Sequence, residues 1–286
     1  MPVSWVPVPV AAPGLVRGRG YRVTTVDRTP AARQVAGTQT IARALAVLRV
    51  LRDARDDLGG AEIAKVLGLH ASTAHRILKA LVVAGYVVQN ERTERYRLGP
   101  ESFLLGRAAG RTLGFDAAAP VLERLAEATG ESVNLVVRDG DEGVVVVRVD
   151  SWQPLRFTQP VGARIPLYCT SSGKALLAFA GDAAAQIAGL GELTPLTPAT
   201  VTSPRALLTE LRDTWARGYS LNRGERIAGV RGVAAPVLGE DGQVIAAVAV
   251  QGPEIRITEA QVPELGALVV ETARAVSAVM PPGSPV

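Results

Sequence analysis

Along the chain, apolar residues recur three and four apart in some stretches and in alternating or unbroken runs in others. The change of period marks where helices give way to strands. From Thr38, the positions Ile41, Ala44, Leu45, Val47, Leu48 and Leu51 share one face, which predicts a helix reaching Asp56-Asp57 before the stop signal Leu58-Gly59-Gly60. A second helix over 61–67 stops at Gly68, and the link Gly68-Leu69-His70-Ala71 is short enough for a helix-turn-helix with Leu69 in the corner. In the helix that follows, Ala74, Ile77, Leu78, Leu81 and Val82 form one apolar stripe that must pack on a core. The opposite face carries Ser72, Thr73, His75, Arg76 and Lys79, side chains able to donate to phosphates or to base edges in a major groove.

After Gly85, extended pieces over 86–88 and 96–98 flank a polar tip, which predicts a wing with Arg92, Arg95 and Arg97 placed to reach flanking backbone or minor groove. Residues 100–112 predict a linker helix with Phe103, Leu104 and Leu105 on its apolar side, a face suited to packing between subunits. An amphipathic helix over 115–128 turns Val121, Leu122 and Leu125 inward, and valine-rich strands over 132–138 and 143–150 are joined by Asp139-Gly140-Asp141-Glu142. The stretch 155–159 alternates as a third strand, and an extended approach over 161–169 ends in small hydroxyl residues that open a helix. Ser203, Pro204 and Gly218 bound another helix in the usual asymmetric way, with Leu207, Leu208, Leu211 and Trp215 as its buried side. Strands over 230–238 and 243–251 follow. The last helix opens on Thr258 and Gln261 at capping-box spacing, carries Leu265, Leu268, Val269, Val276 and Val279, and has Pro263 as an irregularity. Helix, strands, helices, strands, helix predicts an α+β domain whose central, mainly antiparallel sheet is flanked by helices.

Composition sharpens this picture. A chain of 286 residues, 48% hydrophobic, is long enough for two domains with their own cores. No apolar run approaches the ~18 residues of a membrane span, and the first twenty residues hold four prolines and no basic residue ahead of the apolar stretch, unlike a secretory signal. No membrane partner is expected, and the expected location is cytoplasmic. Residues 1–111 hold 17 Lys+Arg against 8 Asp+Glu, net +9, and residues 112–286 hold 14 against 19, net −5, which together give the +4 of the chain. The positive excess lies wholly in the front part, where a phosphate-binding surface would need it. A helical hairpin with basic residues also occurs in proteins that never touch DNA; the charge distribution favours nucleic acid. Residues 1–37, with five arginines and one aspartate among Pro, Ala, Val and Gly, read as a disordered basic arm or an extension without function.

Enzyme chemistry is poorly supplied. Cys169 is the single cysteine, so neither a disulfide nor a multi-cysteine zinc site can form within the chain. Both histidines, His70 and His75, lie in the helix-turn-helix, which leaves the C-terminal part without a Ser-His-Asp, Cys-His or histidine metal site. No catalytic residue, metal or cofactor is expected. The helix start after Thr170, with the hydroxyls of Thr170, Ser171 and Ser172, would suit a small carboxylate; the pattern alone favours a simple cap by Thr170 or Ser171. Lys174 could pair with the same anion, sit on the surface or join an internal salt bridge. Cys169 reads as a small core or pocket residue, and Glu225 either as a ligand contact or as a partner of Arg223, Arg226 or Arg231.

Four stretches carry a family resemblance: EIAKVLGLHASTAHRILKAL, RYRLGP, GARIPLYCTSSGKALLA and GERIAGVRGVAAPVLGEDGQVIAAVAVQGP. The chain over 38–280, about 85% of it, resembles the IclR-type transcriptional regulators of bacteria. The resemblance implies a winged helix-turn-helix over 38–99, a linker helix over 100–113, a GAF-like effector-binding domain over 114–280 and a tail over 281–286. It places Ser72, Thr73, His75, Arg76 and Lys79 on the recognition helix and Arg95 and Arg97 on the wing. It also places Tyr168, Cys169, Thr170, Ser171, Ser172 and Gly173 on one wall of an effector pocket and Glu225, Gly232, Val233 and Ala234 on the other. Tyr168 stands where the family often has His, Gly232 where it often has Cys, and Gly224 where a second acidic residue is common, so a pocket with a different polar set is implied. The expected function is a non-enzymatic, ligand-responsive regulator that binds a double-stranded DNA operator as a homodimer or homotetramer and senses a small organic acid or related metabolite. The rival expectations are an enzyme with a GAF-like domain using Cys169 or Lys174, and a winged-helix module that binds protein.

Overall fold

The computed structural model describes residues 38–281. The expected basic arm, 1–37, and the expected tail beyond Pro281 lie outside the described residues. The chain forms two compact units that divide between Phe103 and Leu104.

The first unit holds α1 (Gln39–Asp53), α2 (Gly60–Val66), α3 (Ala71–Val83) and a hairpin of β1 (Val87–Gln89) and β2 (Tyr96–Leu98). Val47, Leu51, Ile63, Ile77, Leu78, Val87 and Tyr96 meet in its core. Leu69 packs half-buried against them at the α2–α3 corner, its amide donating to the Ala64 carbonyl at 2.9 Å. Gly68 has φ +61° with no atom near its missing Cβ, so the tight turn selects glycine for backbone conformation and not for space. α1 ends at Asp53, earlier than the sequence pattern predicts. Leu58 exchanges two backbone hydrogen bonds with Tyr96 of the wing, and that bridge requires extended chain where the helix would otherwise continue. Only the later turns of α1 cover the core: Ile41 and Leu45, expected to face inward, are 62% and 49% exposed. α4 (Pro100–Thr112) spans the division between the units and has no buried residue; Phe103, Leu104 and Leu105 lie exposed along it.

The second unit opens with α5 (Phe115–Thr129), β3 (Ser132–Asp139), β4 (Glu142–Val149) and β5 (Arg164–Pro166). Three helices follow, α6 (Ser171–Phe179), α7 (Ala183–Ala188) and α8 (Pro204–Arg217), then β6 (Ser220–Arg223), β7 (Val230–Leu238), β8 (Val244–Pro253) and α9 (Val262–Val279). Its sheet runs in the order β5-β4-β3-β8-β7-β6, with every pairing antiparallel. The observed architecture is thus the expected α+β one. Because side chains alternate across a strand, Val133, Leu135, Val137, Val233 and Val248 meet α5 and α9, while Val136, Ala234, Ala247 and Ala249 meet α6 and its neighbours. The alanines on that second face leave room for α6 to lie close to the sheet, and Ser171 through Ala178 are all buried.

Several expectations need correction. The stretch 155–159 is not a strand; Pro154 and Pro160 bracket it, and the strand beside β4 is Arg164–Pro166, paired to Glu142–Val144. Trp215 is 66% exposed, because the buried stripe of α8 runs through Leu207, Leu211 and Thr214. Pro263 falls at the second position of α9, where the backbone N–H would have no intrahelical acceptor, so it disturbs nothing. The short elements α7 and β6 were not marked by periodicity. No helix among the described residues is long and apolar enough to cross a membrane.

Leu78 is fully buried in the core of the first unit. Leu78→Ala should lower the stability of that unit by about 2–5 kcal/mol, read from urea unfolding followed by circular dichroism; a loss below about 1 kcal/mol would contradict its placement.

Candidate functional site

α3 presents the polar face anticipated from its sequence. Ser72, His75, Arg76 and Lys79 are exposed and Thr73 is half-buried, while Ala74, Ile77 and Leu78 hold the helix to the core. The His70 ring, at the N-cap position, lies with Nδ1 2.9 Å from Ser72 Oγ. On the wing the Asn90 side chain accepts from the amides of Arg92 and Thr93 and builds the turn that holds Arg92 out in solvent. Arg97 is also exposed, with only a long 3.9 Å approach to Asp57. Arg95 behaves differently. Its Nε donates to the Asp57 carbonyl at 2.7 Å and its Nη2 lies 2.8 Å from Glu62, whose same oxygen accepts from the Gly59 amide at 2.7 Å. Arg95 therefore straps the wing to the start of α2, through bonds much shorter than the Arg97–Asp57 approach.

In the second unit the residues singled out around α6 are all buried and separate into supports and polar groups with an unpartnered atom. Thr170 caps α6: its Oγ1 accepts from Gly173 N at 3.1 Å and donates to the Pro166 carbonyl at 2.8 Å. Gly173 is required by close packing, since a Cβ there would fall on the Leu167 backbone. Tyr168 donates to the Thr194 carbonyl at 2.7 Å, and burial pushes its hydroxyl up to about 12. Cys169 is completely buried and burial raises its thiol to about 11, the opposite of what an activated nucleophile needs. Val233 is a correction: strand alternation turns it to the α5–α9 layer, away from α6. Ala234 and Gly232 lie on the α6 side, and a Cβ at Gly232 would stand 2.6 Å from Ser171 Oγ. The absence of a side chain there lets the first turn of α6 settle on the sheet.

A buried ion pair anchors this arrangement. Lys174 is 1% exposed, and its Nζ donates to Glu225 Oε1 at 2.6 Å, with Glu210 3.6 Å away and Arg217 bridging onto Glu210 at 2.8 Å. Of the alternatives considered for Lys174, the internal salt bridge is the observed one. Glu225 pairs with Lys174, whereas Arg223 and Arg231 pair with Glu259. The Glu225 main chain is held as firmly: Asn222 Oδ1 accepts its amide, and the Thr197 and Thr200 hydroxyls donate to its carbonyl. Glu225 Oε2 and Ser172 Oγ, both buried, have no hydrogen-bond partner.

Three buried side chains that sequence reasoning did not single out lie on the same face of the sheet. Asn134 of β3 and Gln251 of β8 both donate to Gln159 Oε1, at 3.2 and 3.4 Å, and Asn134 Oδ1 is left without a partner. The signal in the sequence is a lone amide inside otherwise apolar strand runs, Ser-Val-Asn-Leu-Val-Val and Ala-Val-Ala-Val-Gln. Gln159 sits in an irregular segment and carried no signal. Among the described residues no group of three or more His, Cys, Asp or Glu side chains is placed to hold a metal ion.

Residues 111–278 match the family model described as the bacterial transcriptional regulator IclR C-terminal domain, and residues 40–91 match the IclR helix-turn-helix domain. The chain belongs to the IclR family of bacterial transcriptional regulators. It is 34% identical over 249 residues to the HTH-type transcriptional regulator BhcR of Paracoccus denitrificans, covering 86% of this chain and 88% of that one. It is 31% identical over 265 residues to the transcriptional repressor IclR of Escherichia coli, covering 91% and 94%. Among solved structures, the Thermotoga maritima IclR superposes with TM-score 0.64 at 29% identity, covering 84% of this chain and 97% of that one. An IclR homologue from Microbacterium hydrocarbonoxydans complexed with 4-hydroxybenzoate superposes with TM-score 0.73 at 27% identity, covering 84% and 98%. The relatives are regulators and repressors, not enzymes, and the architecture of this IclR-family chain is a helix-turn-helix DNA-binding domain followed by an effector-binding domain.

Lys174→Met leaves the Glu225 carboxylate buried without its cation and should cost about 3–5 kcal/mol, whereas the double change Lys174→Met/Glu225→Leu should recover most of that loss in chemical unfolding. Equal destabilisation by the single and the double variant would show that the pair is not what holds α6. For Cys169, a thiol near 11 that is fully buried should alkylate far more slowly in the native protein than in urea up to about pH 9, and native-state labelling at the free-thiol rate would refute that environment.

Proposed function

We propose that the chain is a ligand-responsive, sequence-specific DNA-binding regulator that acts as a homodimer or homotetramer in the cytoplasm. The observation that carries this is α3, whose apolar stripe is buried in the first unit while Ser72, His75, Arg76 and Lys79 stand in solvent on its other side. A helix so presented can enter a major groove, with Arg76 and Ser72 reading base edges and Lys79 and His75 meeting phosphate or base acceptors. Thr73 contributes at the edge of that surface. Arg92 and Arg97 are the exposed wing residues that meet flanking DNA, and Arg95 fixes the wing to α2. The net +9 over residues 1–111 supplies the general attraction to phosphate.

The proposed effector is a small organic acid held where α6 begins. The Ser171 and Ser172 amides open that helix and have no acceptor within it, and the helix start carries partial positive charge. The 4-hydroxybenzoate found with the Microbacterium hydrocarbonoxydans homologue is a carboxylic acid and supports this class. Effector binding shifts the oligomer between two arrangements of its DNA-binding units by differential affinity, with the exposed apolar side of α4 offering a surface for subunit packing.

Arg76→Ala should weaken binding to fragments of the protein's own upstream region at least tenfold at fixed salt, with the far-ultraviolet circular dichroism unchanged. Wild-type affinity should fall steeply with salt concentration in the same assay. An unchanged operator affinity for the variant would remove α3 from the interface, and a flat salt dependence would favour a protein partner for the winged helix.

A further inference from the structure

We infer that the buried carboxamides Asn134, Gln159 and Gln251 are a second recognition site, for an uncharged hydrogen-bonding group on the effector. The inference rests on the proposed effector-binding role of the α6 side of the sheet. It adds what the other end of that molecule must be: a hydroxyl or carboxamide, not a second carboxylate and not plain hydrocarbon.

The placement follows from strand register. Ser132 of β3, Gln251 of β8, Gly232 of β7 and Asn222 of β6 are successive partners across the sheet, and the next row holds Asn134, Ala249, Ala234 and Ser220. Ala234 and Ala249 pack with α6, so both rows face that helix. Gly232 joins the two parts of the site: a Cβ there would stand 2.6 Å from Ser171 Oγ and 3.3 Å from Gln251 Cγ. The first turn of α6 and the carboxamides are therefore neighbours across one glycine.

Asn134 is 1% exposed, yet its Oδ1 has no partner. A buried amide oxygen left unpaired costs about 1–3 kcal/mol, so its retention in a valine-rich strand asks for a compensating contact. Nearby valines and alanines could have filled the same row at no such penalty. Gln159 Oε1 accepts from both Asn134 Nδ2 and Gln251 Nε2. Reversing all three carboxamides together preserves both bonds, because Gln159 Nε2 then donates to the two oxygens, and it turns Asn134 Nδ2 toward the position its oxygen held. The cluster can thus offer an acceptor or a donor at one place, which a hydroxyl or a carboxamide, each able to donate and to accept, can meet either way.

Charge excludes the alternatives. Asn134, Gln159, Gln251 and Ser172 are all neutral, and Lys174, buried on this side, is bound to Glu225 at 2.6 Å. A second carboxylate at Asn134 would be desolvated among carboxamides that carry no charge to balance it. An apolar end would leave the Asn134 oxygen unsatisfied.

The test is isothermal titration calorimetry on the full chain with two matched series. One is benzoate, 4-hydroxybenzoate, 4-carbamoylbenzoate, terephthalate and neutral 4-hydroxybenzamide; the other is propanoate, 3-hydroxypropanoate, malonamate, malonate and neutral 3-hydroxypropanamide. In the series that binds, the hydroxy or carbamoyl acid should bind about tenfold more tightly than both the parent acid and the diacid, and Asn134→Ala or Gln251→Ala should reduce that preference to about threefold or less. The wild-type ranking decides by itself if a variant fails to fold. A parent acid or diacid that binds tightest, or a preference that survives both substitutions, overturns the inference. Binding of a neutral member without any acid supports the carboxamide site while rejecting the carboxylate at α6. Failure of all ten compounds overturns both.

Discussion

The contact on which the effector-binding unit depends is the buried ion pair between Lys174 and Glu225, 2.6 Å apart. A lysine that is 1% exposed on the sheet-facing helix is tolerable only with a carboxylate beside it, and the nearer one comes from the β6–β7 connection. That single requirement links three parts of the unit. α6 is tied to the connection, the connection to the 197–200 turn through the Thr197 and Thr200 hydroxyls, and α8 to α6 through Glu210, which Arg217 holds from within α8. Once those parts are held, Ser171 lies over Gly232 and the polar end of the sheet is closed on one side.

The two faces of that sheet divide labour in a way that explains which candidate residues matter. On the α5–α9 side the inward positions are valine, leucine and alanine, and the layer is simply a core. On the α6 side, alanine gives way to Asn134, Gln251, Asn222 and Ser220 along the strands. Polar groups buried together must satisfy one another, and most do: Ser220 donates to the Ser171 carbonyl, and Asn222 accepts from the Glu225 amide. The atoms left over, Asn134 Oδ1, Ser172 Oγ and Glu225 Oε2, mark where this chain departs from a closed core.

The DNA-binding unit is organised by a simpler rule. A small core of α1, α2, α3 and the wing consumes the apolar stripe of α3, and Ser72, His75, Arg76 and Lys79 on the far side of that helix are left to solvent. Arg95 shows why residue type alone does not assign a role. It has the charge and the position of a DNA contact, yet its guanidinium is engaged by the Asp57 carbonyl and by Glu62.

Local pattern was enough for the elements whose cause is local. The α3 stripe, the Gly68 turn, the β3–β4 turn and the Ser203, Pro204 and Gly218 helix ends follow from periodicity, backbone preference and capping, all properties of neighbouring residues. The same sequence signals also carried the family, through motifs that span the chain. What depends on long-range pairing was not legible. Leu58 bonding to Tyr96 cut α1 short, Pro154 and Pro160 kept 155–159 out of the sheet, and alternation in a register set by β6 and β8 sent Val233 to one layer and Ala234 to the other. Lys174 and Glu225 are 51 residues apart, and Asn134 and Gln251 lie on partners whose adjacency only the sheet order creates. The sequence by itself determined most of the longer helices and strands and the main apolar stripe of α3, because those follow from neighbours along the chain. Tertiary structure decided which polar groups meet, because burial and charge pairing are properties of the assembled sheet and of the helix laid across it.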